Sequence, residues 1–492
     1  MTTEHLAASL ALVGLVILVS SLLSGAVERS GLPQVAIFLA LGAALGPVAL
    51  GLVDFPLESP ALHVLATLAL MLVLFTDAIS VDVAAVRRQP RLALAVLGPG
   101  TVIPAALIAL AAWWLLGLTP PAAAILGAAL GSTDPVLLRT LLRHPALPEQ
   151  TRLALRLESG MNDVVLLPVI VLSMLLLAPG GATAGEIGRH SAGLFLLGPA
   201  LGVAIGWGAI RLLELVRRRA GVRRDYESLY ALGVALTAFA AAEAAGGSGF
   251  LAAFAAGLVI AALDVELCDC FLDYGEATAE MFLLLTFVAF GASLLWTGLT
   301  IADLRTLVFA AMALTVRTVV LFPVLARAGV NAGSRRQIAL LGPRGLSSLL
   351  LVLLPVFAGV PGAERLFTIA CLVVLLSVVL HGGGIALFLR RTARGGGAAA
   401  AAESPPSQRS APNSPREAVD DAGAPEPITI PELRAMWERG ESPVIVDART
   451  ERTYGQNGTQ ARGAVRIPPD DAVPRATDLG LANHATLVIY CA

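Results

Sequence analysis

The sequence predicts an all-α polytopic membrane protein: about 13 transmembrane helices, arranged as two inverted six-helix repeats with broken helices. A partial α/β unit follows them. Three observations carry this expectation. Of 492 residues, 56% are hydrophobic and only 14% are charged, whereas soluble domains carry about 25% charged residues. Apolar stretches of spanning length fill residues 1–391. Two of those stretches are interrupted by Gly and Pro at corresponding places in the two halves.

Spans are expected near 6–27, 32–53, 61–83, 92–116, 121–141, 153–178, 192–216, 228–246, 249–265, 278–296, 304–327, 337–359 and 364–389. The first follows Glu4 and His5 without a basic leader, so it is read as a membrane helix rather than a cleaved signal. All 34 basic residues are arginine, and their placement tests the count. Basic loops follow the third span (Arg87, Arg88, Arg91), the fifth (Arg143, Arg152) and the seventh (Arg217, Arg218, Arg219, Arg223, Arg224). Others follow the eleventh (Arg327, Arg335, Arg336) and the thirteenth (Arg390, Arg391, Arg394). Even-numbered spans end in arginine-poor turns such as GLTPP, LAPGGATAG and GVPGAE. The positive-inside rule then puts the N-terminus outside and the C-terminus in the cytoplasm of a cell (inner or plasma) membrane.

Composition divides the chain into a membrane domain (1–391), a flexible Gly/Ala/Pro linker (392–426) and a soluble segment (427–492). In the last, ITIPELRAMWERG predicts a strand and an amphipathic helix, and SPVIVDAR and ATLVIYC predict short buried strands. Four cysteines (Cys268, Cys270, Cys371, Cys491) are too few for a disulfide framework, and the Cys268/Cys270 pair does not close a zinc site. No cofactor is expected. The net charge of −2 argues against nucleic acid as a partner.

The sixth span carries Glu158-Ser159-Gly160-Met161-Asn162-Asp163 inside an apolar run. A charge at a helix centre costs roughly 2.5–3.5 kcal/mol on insertion, so an ion or proton pathway is the default reading. Spacings of three and four residues place Glu158, Ser159, Asn162 and Asp163 on one helix face. Their oxygens suit a hard monovalent cation, and Asp163 can hold a proton instead.

The fifth span is interrupted at Gly131-Ser132-Thr133-Asp134-Pro135 and the twelfth at Gly342-Pro343-Arg344-Gly345. With the seventh span as linker, each break falls in the fifth span of its half, and the halves are oppositely oriented. Interrupted helices at matching positions of an inverted repeat mark a secondary transporter's binding site. Arg344 and Glu158 are expected to pair, which leaves Asp163 as the uncompensated charge. Asp134 either offsets a half-helix terminus or sits on the ion pathway. Arg317 is expected to tie helices together, and His381 to serve packing rather than proton carriage.

LESGMNDVV, GSTDPV, ESLYALGVALTAFAAAEAAGGSGFLAAFAAGL and GPRGLSSLLLVLL resemble the monovalent cation:proton antiporters of the NhaP/NHE type, over residues 1–391. The resemblance implies a homodimer, each protomer having a dimerisation part and a mobile six-helix core with two crossed, broken helices. It implies cation coordination by Asp163, Ser159 and the Thr133 region, with Asn162 supporting and Glu158 paired to Arg344. The Asn-Asp pair resembles the electroneutral branch. Where some relatives carry Glu in the third span, this chain reads LFTDAISVD, with Thr76 and Asp77 nearby.

The tail resembles the start of a rhodanese-like domain through Val446-Asp447-Ala448-Arg449, Tyr454, Gly463-Ala464-Val465 and Ile467-Pro468. Cys491 stands where that family has its nucleophile. Because Ala492 follows at once, the domain is expected to be incomplete, with Cys491 a vestigial or truncated candidate and no sulfurtransferase activity. The leading expectation is a secondary transporter, not an enzyme, exchanging Na+ or K+ for H+ across the lipid bilayer. The alternative is a membrane-anchored sulfur-transfer or sulfur/redox-sensing protein. A channel is disfavoured, because a lone titratable site suits exchange better than conduction.

Overall fold

The structure is a computed structural model. It describes residues 34–47, 49–51, 56–81, 83–142, 147–177, 183–220, 224–263 and 269–384, then 430–440, 443–449, 463–467 and 486–490, plus isolated positions. Nearly all of the expected first span, the linker, Tyr454 and Cys491 lie outside the described residues. The chain divides into two compact units, Met1–Pro405 and Pro406–Ala492.

In the first unit, eight helical segments are long and apolar enough to cross a membrane, and four shorter apolar helices accompany them. Together they answer the second to thirteenth expected spans. The helices are α1 (Gln34–Leu45), α2 (Pro60–Ile79), α3 (Pro90–Leu97), α4 (Pro99–Leu116), α5 (Pro120–Gly131), α6 (Pro135–Leu142) and α7 (Glu149–Leu177). After them come α8 (Ala184–Ala192), α9 (Gly198–Ala220), α10 (Arg224–Ala244), α11 (Gly249–Ala262) and α12 (Asp269–Ala289). The last are α13 (Leu304–Arg327), α14 (Ala332–Leu340), α15 (Leu346–Phe357) and α16 (Ala363–Ser377).

Local chemistry sets the ends. Proline opens α2, α3, α4 and α5, where its missing N–H costs nothing and its φ is already helical. Asp303 and Asn331 cap α13 and α14 by accepting from Thr306 N at 2.9 Å and Ser334 N at 2.8 Å. Thr183 and Glu186 form a capping box on α8, the amphipathic helix that precedes the seventh expected span.

Packing separates two groups. α2, α10, α11 and α12 pack together with α1 and α9, while α3–α7 pack with α13–α16. Lipid supplies no hydrophobic drive between helices, so small residues that let backbones approach do much of the work. Gly198, Gly202 and Gly206 of α9 lie so close to Ser248, Ala252 and Ala256 that an added Cβ would meet their backbone. Outward-facing Trp114, Leu196 and Val319 are exposed, as side chains facing acyl chains must be.

The second group contains both interrupted helices. α5 stops at Gly131, Ser132 turns extended (φ −68°, ψ 140°), and Pro135 starts α6. α14 ends at Leu340, and α15 begins after Gly345. The two breaks touch: Asp134 N donates to Pro343 O at 3.0 Å.

In the second unit, α17 (Ile430–Glu438) precedes a parallel sheet of β1 (Val444–Asp447), β2 (Val465–Arg466) and β3 (Leu487–Tyr490), in the order β2-β1-β3. Val446 pairs with both Val465 and Ile489. β3 differs from the buried strand expected: Leu487 and Ile489 are exposed, because period-2 alternation turns them to a face that no described element covers. Arg449 holds Asp447 through two side-chain hydrogen bonds, Nε to Oδ1 at 2.8 Å and Nη2 to Oδ2 at 2.6 Å. These hold the Asp447 carboxyl well below the usual carboxylate range, against the opposing effect of burial.

Candidate functional site

The site forms where the two breaks cross beside α7. Glu158, Ser159, Asn162 and Asp163 are all buried on α7, as the helical spacing requires. Asp134, Thr133 and Ser132, from the first break, are fully buried, and Arg344, from the second, is 1% exposed. Among the described residues of the first unit, five charged side chains are buried: Asp134, Glu158, Asp163, Arg317 and Arg344. All five belong to this cluster.

Each free helix end in the crossing meets a charge of the right sign. Asp134 Oδ1 accepts from Val136 N at 3.0 Å, at the start of α6. Its Oδ2 accepts from Leu346 N at 3.3 Å, at the start of α15. One carboxylate therefore serves two positive helix termini. Asp134 thus does offset a half-helix terminus, the first of the two roles open to it from sequence, and does so for both halves.

Arg344 covers the negative end of α5. Its Nη1 donates to Gly131 O at 2.7 Å, Ser132 O at 2.8 Å and Thr133 Oγ1 at 3.2 Å. Arg317 covers the end of α14, donating to Ala339 O and Ile338 O, both at 2.9 Å. Two glycines make room for these groups. A Cβ at Gly345 would overlap the Asp134 carboxylate, and one at Gly342 would overlap the Arg317 guanidinium.

The ion pair differs from the one expected. Glu158 pairs with Arg317, not Arg344: Nε donates to Oε1 at 2.5 Å and Nη2 to Oε2 at 2.6 Å. The reason is geometric. The break aims Arg344 along the axis of α5, where three acceptors take its Nη1, while Arg317 reaches Glu158 with a two-pronged fork. Thr133 links the systems, since its hydroxyl accepts from Arg344 and donates to Glu158 Oε1 at 3.0 Å. Thr133 is therefore bonded within the scaffold, and the residue of this break that reaches Asp163 is Ser132, whose hydroxyl donates to Asp163 Oδ1.

Ser132 is the site residue that helical spacing does not single out. The signal was its position immediately after the last helical residue, where an extended ψ swings the side chain out of line with α5. Ser159 sits on the expected face, and its hydroxyl donates back to Leu155 O at 2.8 Å, leaving its lone pairs for other partners. Asn162 is fully buried, and neither its Oδ1 nor its Nδ2 has a hydrogen-bond partner. In the third expected span, Thr76 donates to Leu72 O and Val73 O of its own helix. Asp77 faces α7, since a Cβ on Gly160 would lie 3.5 Å from Asp77 Cβ. His381 follows α16 in a π-helical turn, Val378–Gly382, 3.2 Å from Ser377 Oγ.

The sequence profile described as "Sodium/hydrogen exchanger, transmembrane" matches residues 15–391. The chain belongs to that family. Its relatives include a K(+)/H(+) antiporter NhaP2 of Shewanella baltica, 29% identical over 370 residues, which are 74% of this chain and 63% of that protein. A K(+)/H(+) antiporter NhaP of Alkalimonas amylolytica is 26% identical over 384 residues, 77% of this chain and 66% of that protein. A Na(+)/H(+) antiporter NhaG of Bacillus atrophaeus is 26% identical over 372 residues, 68% of this chain and 66% of that protein. This exchanger-family chain thus spans 63–66% of the length of these curated relatives. Among solved structures, the sodium proton antiporter MjNhaP1 of Methanocaldococcus jannaschii superposes with a TM-score of 0.63 at 18% identity, covering 77% of this chain and all of that one. The fold is that of MjNhaP1, and the chain is a multi-pass membrane protein.

Proposed function

We propose that the protein exchanges a monovalent cation, Na+ or K+, for H+ by alternating access, and that the exchange is electroneutral. The observation that carries this reading is the charge balance of the buried cluster. Three carboxylates (Asp134, Glu158, Asp163) and two guanidiniums (Arg317, Arg344) sum to one negative charge. Glu158 is neutralised by Arg317, and Asp134 and Arg344 are engaged by helix ends. The balance therefore falls on Asp163, whose hydrogen-bond partner is a neutral hydroxyl.

One proton or one monovalent cation brings the cluster to zero. With neither, the core would carry a bare charge through the apolar barrier, at a cost of several kcal/mol. Crossing is thus confined to the two loaded forms, which enforces one-for-one exchange. Ser132 Oγ, Ser159 Oγ and Asn162 Oδ1 are neutral oxygens able to join the Asp163 carboxylate around a hard cation. The names of the relatives, potassium for some and sodium for another, support this substrate class.

The moving part would be the group of α3–α7 and α13–α16, displaced against the helices around α2 and α11, in a homodimer. The arginine-rich loops favour a cell membrane with the N-terminus outside and the C-terminus in the cytoplasm. The test is collapse of a pH gradient in everted vesicles on adding Na+, K+ or Li+ in turn. Wild type should respond and Asp163→Asn should not. Unchanged cation-dependent proton flux in Asp163→Asn would overturn the assignment, and a rate that follows an imposed membrane potential would overturn electroneutrality.

A further inference from the structure

Several hydroxyls inside helices discharge their protons locally. Those of Thr76, Ser159, Thr286 and Thr368 donate to the carbonyl one turn back in their own helix. Ser377, fully buried at the end of α16, does otherwise. Its oxygen receives the Arg344 backbone N–H at 2.7 Å and lies 3.2 Å from His381 Nδ1. A backbone amide can only donate, so Ser377 Oγ and the ring nitrogen share a second hydrogen bond, whose direction follows the imidazole tautomer. The ring stands in a one-turn π insertion, a feature that shifts register by one residue and recurs at functional sites.

We propose that His381 is a positioning residue for the ion site. By hydrogen bonding to Ser377 Oγ it fixes the oxygen that anchors the Arg344 amide, at the point where the second break turns. Arg344 in turn grips Gly131 O and Ser132 O, and Ser132 carries the hydroxyl bonded to Asp163. The bonds form one continuous path from the last span to the exchangeable carboxylate. Contiguity alone does not establish coupling, so the test measures it at both ends of the path.

The full-length protein is compared as wild type, His381→Leu, His381→Asn and Ser377→Ala. Leu removes the hydrogen-bonding nitrogen, whereas Asn offers an amide group near the place of Nδ1. In purified protein, hydrogen exchange of the Arg344 amide should quicken about tenfold in His381→Leu and return to wild type in His381→Asn. In proteoliposomes, the cation KM should rise several-fold in His381→Leu, with kcat little changed, and His381→Asn should restore it. Ser377→Ala should reproduce both changes, and adding His381→Leu to it should cause no further loss. Wild-type exchange and KM in Ser377→Ala, or failure of Asn to rescue, overturns the proposal. If His381→Leu does not fold, the Asn and Ala variants decide the matter alone. The transport readout rests on the antiport reading and the amide readout does not. A wild type without cation:proton exchange therefore refutes that reading, while the amide data still judge His381.

Discussion

Replacing Arg317 with Met removes a guanidinium that makes four hydrogen bonds, two to Glu158 and one each to Ala339 O and Ile338 O. The volume is nearly kept, so the loss is electrostatic. Breaking one side of a buried pair costs about 3–5 kcal/mol, because the other charge remains buried and unmatched. At about 1.4 kcal/mol per factor of ten, the folded-to-unfolded ratio should fall by roughly a hundred- to several-thousandfold. Removing both charges should restore much of this. Glu158→Gln with Arg317→Met is expected to be less damaging than the two single effects summed, by about 2 kcal/mol or more. The same cycle between Glu158→Gln and Arg344→Met should give a smaller coupling, since those residues share no direct hydrogen bond and meet through the Thr133 hydroxyl. The assay is unfolding in detergent micelles, followed by denaturant titration on the six proteins. An equal or larger coupling for Glu158 with Arg344 would refute the assignment of partners.

Ser132→Ala deletes the donor to Asp163 and should weaken cation affinity by about tenfold while leaving the protein folded, because hydrogen bonds to charged groups are worth about 1.5–3 kcal/mol; KM in vesicles for each alkali cation checks it. Gly345→Ala should sharply lower the yield of folded protein, since its methyl would overlap the Asp134 carboxylate; size-exclusion profiles after membrane extraction report the outcome. Gly202→Leu should separate α9 from α11, where the backbone of Ala252 leaves no room for a side chain, and lower thermal stability without changing which cation is chosen. In the tail, Asp447 titrates below its unfolded value because Arg449 holds its charged form. Its contribution is full above the ordinary carboxylate pKa of about 4 and is lost as pH falls below it. Proteolysis of the tail in the full-length protein should quicken on acidification below that point, and Asp447→Asn should remove the pH dependence.

The sequence made some of this legible and hid the rest for physical reasons. A carboxylate in an apolar run is conspicuous, so Asp163, Asn162 and Glu158 were visible, and Gly and Pro inside spans marked both breaks. Helical spacing was enough to put the α7 residues on one face. Partner choice was not legible. Arg344 is adjacent in kind to Glu158 and shares its membrane depth, but the direction of a side chain leaving a broken helix depends on backbone angles that no spacing encodes. Arg317, read as a tie between helices, proves to be both tie and counter-ion, because it reaches α14 and α7 together. Ser132 escaped notice for the same reason, its orientation being set by one extended residue. In the tail, the strands of β1 and β3 were evident from their apolar pattern, but the exposed face of β3 depends on what covers it, which is a tertiary matter.

The shared capping of the crossing also bears on how the protein is made. The acceptors at the end of α5 are met by Arg344, which lies 213 residues downstream of Gly131. Ribosomes add about 5–20 residues per second, so roughly 10–40 s separate the synthesis of the two. During that interval the first half has been delivered to the bilayer with bare carbonyls at mid-depth and no guanidinium to meet them. Biogenesis therefore contains a waiting period, in which the nascent first half depends on water, lipid headgroups or the insertion machinery until its other half arrives.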